Sequence, residues 1–308
     1  MRLPARAGSG LVAAMTVAGL LAAPSLVAQN AATAEPEGVA RSLQAQLGLM
    51  SGLGAEVAGS AGTLGRRLGT SPRFAISVRA AFANPGVPDL SDPEGAPSRE
   101  SSYILPAVHA GLAAGLFDGF SVLPTVGGLF SIDLLAAGSL VMLPSSEGFD
   151  GTVSGVTLGA RVGLLRESFT LPGVAVSVSR RWLGQATYAP GGASRRSVTV
   201  DPSVTAVRAT VGKDLLAFGV LAGAGWDRYR GTWAATGDNG VSAGGPTTPL
   251  SQDRMIWFGG LSKNFLILQI SGEFGWAAGF DPVPGYLGAP HDVTAGTPFG
   301  SLAFRLTI

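Results

Sequence analysis

The stretch Leu215-Leu216-Ala217-Phe218-Gly219-Val220-Leu221-Ala222-Gly223-Ala224-Gly225-Trp226 constrains the fold more than any other part of the chain. Leu216, Phe218, Val220, Ala222, Ala224 and Trp226 alternate with Ala217, Gly219, Gly223 and Gly225, and Leu221 is the one bulky residue on the second face. Successive side chains of a strand point to opposite faces, so one face here suits hydrocarbon and the other a crowded interior. The pattern recurs between four short turns and five longer polar loops, which predicts an all-β, antiparallel transmembrane barrel.

Composition supports the same reading. Hydrophobic residues make 46% of the chain and charged residues 13%, against a usual charged share of roughly 25%. A water-exposed surface would be short of charge. Beyond the first residues, no run approaches the ~20 apolar residues of a spanning helix, whereas a barrel spreads its apolar residues over every second position. A net charge of +1 gives no reason to expect a nucleic-acid partner. Without cysteine there is neither a disulfide framework nor a lipid-attachment site.

The chain opens on Met1, Arg2 and Arg6, continues through an apolar run from Leu11 to Ala23, and reaches small residues at Ala28. That order predicts a signal peptide over residues 1–28, with cleavage as late as Ala34, and hence secretion to a Gram-negative outer membrane. Residues 35–72 form a separate segment. Val39, Leu43, Leu47 and Met50 recur at helical spacing before a Gly- and Ala-rich run. Two destinations are open to it, a periplasmic lead-in or a plug folded into the barrel.

The barrel proper is expected over 73–308, with about ten strands and eight to twelve as the bounds. Strand one alternates Phe74, Ile76, Val78, Ala80 and Phe82 with Ala75, Ser77, Arg79 and Ala81. Strand two turns at Phe117-Asp118-Gly119-Phe120 into a long strand three that runs to about Leu143. In strand six the apolar parity shifts between Val204 and Val207, which predicts a bulge. A long loop is expected over Ala234–Ser251 and another over Asp281–Thr297. Trp182, Trp226, Trp233, Trp257 and Trp276 all fall at long-loop ends, and Phe117, Phe120, Phe265 and Phe304 at short-turn ends. Two aromatic girdles in contact with outer-membrane lipid would sort them this way.

Three segments carry a family resemblance: Gly159–Trp182 (GARVGLLRESFTLPGVAVSVSRRW), Val211–Tyr229 (VGKDLLAFGVLAGAGWDRY) and Leu261–Trp276 (LSKNFLILQISGEFGW). They resemble strand–turn–strand units of an uncharacterised family of small bacterial outer-membrane proteins, loosely similar to fatty-acid-transporter-type barrels. The resemblance covers roughly residues 100–308 and implies architecture without assigning ligand-binding residues. The alternating end Leu302, Phe304, Leu306, Ile308 resembles the C-terminal strand read by the barrel-insertion machinery, although such strands usually close on Phe.

Candidate chemistry is sparse. His291 and Asp292 would stand in the last loop, where a pair of this kind can activate water, but no facing carboxylate pair accompanies them. His109 sits mid-strand. No catalytic set, metal site or cofactor is expected, and the chain is read as a non-enzyme. By parity, Arg79, Asp133, Arg161, Asp227, Glu273 and Arg305 point into the lumen, with Arg181 near the outer rim. Buried charges demand partners, so Arg–carboxylate contacts across the interior are expected. The set reads either as a stabilising network or as a polar constriction. Barrels of ~8 strands have interiors just filled by side chains, so a wide-open porin is disfavoured. The functional expectation is a narrow, porin-like channel or transporter for small molecules, apolar ones included. The alternatives are an adhesive or structural barrel acting through its outer loops and, less favoured, a barrel-embedded hydrolase.

Overall fold

Ten antiparallel strands, each hydrogen-bonded to the next, close into a cylinder. They are β1 (Phe74–Ala83), β2 (Leu105–Phe117), β3 (Ser131–Met142), β4 (Thr152–Leu165) and β5 (Gly173–Leu183), then β6 (Ser197–Leu215), β7 (Phe218–Thr236), β8 (Ser242–Phe265), β9 (Leu268–Ala277) and β10 (Thr297–Thr307). The computed structural model describes residues 35–67, 71–88, 90, 100–121, 128–168, 171–191, 196–215, 218–237, 242–281, 292 and 294–308. Closure comes from β10 against β1, from Phe299↔Ala83 to Thr307↔Ala75. Among the described residues the ten strands of the cylinder leave no edge at hydrocarbon depth, where unpaired backbone groups cannot be solvated.

The side chains invert the order of a soluble protein. Phe74, Ile76, Val78 and Phe82 of β1 are exposed, while Ala75, Arg79, Ala81 and Ala83 are buried. The same parity puts Phe274, Trp276, Leu302 and Phe304 outside and Ser271, Glu273, Ser301 and Ala303 inside. Trp182, Trp257 and Trp276 are each about half exposed toward the surroundings at the long-loop ends of their strands, and Trp226 faces outward beside them. Phe120, Phe265 and Phe304 are exposed at the opposite end.

Four expectations are corrected. Trp233 points inward and is 5% exposed, so it belongs to the core and not to a lipid girdle. β6 has no bulge. Its register with β7 runs unbroken from Ser197↔Thr236 to Leu215↔Phe218. Val204 is inward and buried because apolar chain packs against it from within, while Val207 faces out. The barrel strand β3 begins only at Ser131, and the excess length belongs to its connection with β2, where Phe120 bridges Leu129. The expected loop over 234–251 is mostly strand, since β7 continues to Thr236 and β8 starts at Ser242.

Residues 35–50 form one helix, α1. Pro36 suits a first turn because its missing N–H would have had no helical partner, and Glu35 and Glu37 stand at the positive end of the helix dipole. Glu37 also pairs with Arg41 one turn on, at 2.7 Å. α1 lies inside the barrel near the long loops. Val39, Leu43, Leu47 and Met50 are fully buried in a cluster with Tyr188, Val204, Tyr229, Trp233 and Phe280 from the wall and loops. Burying each such side chain contributes about 1.5–3 kcal/mol. Gly48 is required by the approach: a Cβ there would overlap the Tyr229 ring and meet Val204 at 2.9 Å. Beyond α1 the chain descends without regular structure to Arg66–Arg67, which pairs with Ser71–Pro72 below the cylinder and feeds β1.

Candidate functional site in the barrel lumen

An irregular chain inside a barrel must find partners for its backbone groups. Residues 53–64 find them on charged wall side chains. Arg79 donates to the carbonyls of Leu53 and, at 2.6 Å, Ala55. Glu273 accepts from the N–H groups of Ala55 at 3.1 Å and Gly59 at 3.2 Å. Arg161 donates to the Ser60 carbonyl at 3.2 Å and Arg305 to the Ala58 carbonyl at 3.0 Å. Asp133 accepts from the Leu64 N–H at 3.1 Å. Five of the six lumen charges read from strand parity therefore hold the backbone of this segment.

The wall charges also pair among themselves. Asp133 and Arg161 oppose each other on β3 and β4 and form an ion pair at 2.7 Å. Arg79 and Glu273 are 3.7 Å apart. Asp227, the sixth charge, is fully buried and takes a two-pronged contact from Arg208 at 2.5 and 3.0 Å, with the Tyr229 hydroxyl donating at 3.2 Å. Arg305 makes no carboxylate contact among the described residues; its Nε is buried without a partner.

Three participants were not read from the sequence as lumen charges. Arg208 was hidden by the supposed bulge, since unbroken parity from Val204 places it inside. Arg254 lies on the same inward row as Ile256 and Phe258. It donates from Nη2 to the Ala45 carbonyl of α1 at 2.9 Å and from Nε to the Tyr229 hydroxyl at 2.8 Å. Glu56 belongs to the descending chain and receives Arg181 at 2.9 Å and the Ser179 hydroxyl at 2.7 Å. No local pattern marks a carboxylate in an irregular segment as a lumen partner.

At the outer end, α1 is tied to the wall. The Gln252 side chain donates to the Arg41 carbonyl at 2.8 Å, Gln46 donates to the Gly86 carbonyl at 2.7 Å, and Arg196 pairs with Glu35 at 2.7 Å. At the inner end, Thr63 and Ser131 share a hydrogen bond of 2.5 Å. The Arg66 N–H and the Arg166 guanidinium meet the carboxylate of Asp118 below the cylinder, at 2.7 and 3.0 Å. The backbone N–H of Arg66 leads in holding the Asp118 carboxyl below its ordinary range, with Arg166 adding to it.

Cavities remain at both mouths. The outer one, about 120 Å³, is lined by Leu49, Met50, Arg254 and Phe280. The inner one, about 320 Å³, is lined by Arg66, Arg73, Arg166 and Arg305 with Asp118 and Glu167. Between them Leu53, Ala55, Val57 and Ala58 are buried in the lumen. His109 is inward and buried, and its Nε2 has no hydrogen-bond partner among the described residues. His291 lies outside the described residues.

A closed ten-stranded cylinder with an apolar outer surface, aromatic belts and a charged interior is now established. The chain has the fold of a bacterial outer-membrane β-barrel. No family model and no curated protein sequence matches it. Solved barrels do. The translocator domain of the autotransporter NalP from Neisseria meningitidis is 10% identical, with 76% of this chain and 88% of that chain covered and a TM-score of 0.44. The outer membrane protease OmpT from Escherichia coli is 9% identical, with 77% and 96% covered and a TM-score of 0.39. The toluene transporter TodX from Pseudomonas putida is 11% identical, with 88% and 96% covered and a TM-score of 0.32. At these identities no residue role transfers from them.

Proposed function

We propose that the protein is a gated conduit for small molecules, a narrow channel or transporter whose lumen is closed here by residues 35–65. One observation carries the reading: seven backbone groups of residues 53–64 are held by five ionised wall side chains. A barrel serving only as a scaffold can fill its interior with apolar side chains. Around residues 53–64 this one instead uses polar contacts that can be exchanged one for one with water or a permeant. The outer cavity, with Leu49, Met50 and Phe280 beside the Arg254 guanidinium, suits a small apolar or amphipathic cargo as first contact.

The test uses the Thr63–Ser131 contact. The chain has no cysteine, so Thr63→Cys with Ser131→Cys introduces one disulfide between segment and wall. In planar bilayers the oxidised protein is expected to be silent and the reduced protein to show discrete openings. Equal conductance in both states, or silence in both when Glu273→Ala is added to free the segment, rejects gating by this segment.

A second reading rests on the outer end. β6 and β7 each run 19 residues, beyond the ~9–11 needed to cross, and their outer parts carry buried Val198, Val200, Trp233 and Ala235. Such an ordered projection suits an adhesive surface. Shortening the 237–241 connection should then abolish binding to a host or partner surface while the barrel stays folded.

A further inference from the structure

The outer surface of the wall from β5 to β8 changes character within one row of residues. Read across the register, Val176, Ala209, Ala224 and Trp257 form a wholly apolar row. The next row toward the long loops is Val178, Val207, Trp226 and Met255, still apolar. The row after that is Arg180, Thr205, Arg228 and Asp253, followed by Trp182, Ser203, Arg230 and Ser251. Rows two residues apart along a strand are separated by about 6.6 Å. Arg180 and Arg228 thus sit between Trp226 and Trp182, inside the aromatic belt and not above it.

Charge at that depth needs a partner. Arg228 has one, Asp253, at 3.0 Å. Arg180 does not: among the described residues it makes no ion pair. It donates from Nη1 to the Thr205 hydroxyl at 2.6 Å and from Nη2 to the Ser203 hydroxyl at 2.8 Å. Those two bonds set the guanidinium against the strands and leave its other donors unclaimed by the described residues. Arg230 stands across the register from Ser203, is exposed, and likewise forms no ion pair among the described residues. Asp201 lies one further row out, beside Thr232.

We propose that Arg180 and Arg230, with Ser203 and Thr205 as orienting hydroxyls, bind the phosphate of a phosphorylated glycolipid in the outer leaflet. Two guanidinium groups flanking one site match a phosphate dianion in charge and in donor geometry. The apolar rows beneath accept its acyl chains, and Trp182 in the row of Ser203 offers a face to its sugar. A soluble anion would have no use for the apolar rows.

The experiment uses the whole barrel in detergent micelles, mixed with a bis-phosphorylated glycolipid of the lipid A type or with the same lipid after phosphatase treatment. Native mass spectrometry counts the bound lipid. The phosphorylated form is expected to bind about tenfold more tightly than the treated form, and Arg180→Gln with Arg230→Gln to erase that preference. Equal retention of both lipids by the unaltered protein overturns the proposal, whether or not the variant folds. So does full displacement by millimolar inorganic phosphate, which assigns the site to a free anion, or a lipid-free dimer through this face.

Discussion

Replacing Asp133 by Asn tests whether the wall charges hold the segment or merely each other. Asp133 is fully buried and accepts three contacts: Arg161 Nε at 3.1 Å, Arg161 Nη2 at 2.7 Å and the Leu64 N–H at 3.1 Å. Asn keeps the shape but turns an N–H₂ group toward a guanidinium or toward an N–H. Breaking a buried pair by altering one partner costs about 3–5 kcal/mol. Only part of that acts on the segment, because Arg161 belongs to the wall in either state. The part that does is the charge-assisted bond to Leu64, worth about 1.5–3 kcal/mol. Asp133→Asn should therefore raise the ratio of open to closed lumen roughly 10- to 150-fold, at 1.4 kcal/mol per tenfold. Single-channel open probability in planar bilayers reads this directly, and urea unfolding in lipid reads the cost to the whole barrel. A lower unfolding midpoint with an open probability unchanged within about twofold would refute the reasoning, because the charge would then stabilise the wall alone.

Gly48→Leu should force α1 from its seat against Tyr229 and Val204, an overpacking of about 1–3 kcal/mol. A reporter Leu43→Cys, buried in the parent, should then react with a membrane-impermeant maleimide; protection equal to the parent would show the helix unmoved. Lipids brominated at the interface should quench Trp182, Trp257 and Trp276 but leave Trp233 bright, and single-tryptophan variants distinguish them. At the inner mouth, the folded Asp118 carboxyl titrates below its unfolded value. The stabilisation it gives is complete above the unfolded pKa of about 3.9 and fades as pH falls through the lower folded value. Because the carboxylate is partly exposed to solvent, the effect is small and local. Limited proteolysis near residues 66–72 should accelerate only below about pH 4, and Asp118→Asn should cleave at a pH-independent rate.

What period-two alternation fixes is the contact with hydrocarbon. Residues facing the hydrocarbon core had to be apolar whatever their neighbours, so the strands, the four outward tryptophans and the inward set Arg79, Asp133, Arg161, Asp227, Glu273 and Arg305 were legible one strand at a time. The inward face obeys no such rule, because its surroundings are whatever fills the lumen. Val204 and Trp233 are apolar yet inward since α1 meets them there, and reading apolar as lipid-facing misplaced Trp233, invented a bulge and hid Arg208. The destination of residues 35–65 was likewise undetermined: a run with amphipathic spacing followed by glycine can lie against any apolar surface, inside or out. Only closure of the barrel decides it, by bringing Glu273 of β9, Asp133 of β3 and Arg161 of β4 around one stretch of backbone that no single strand could satisfy.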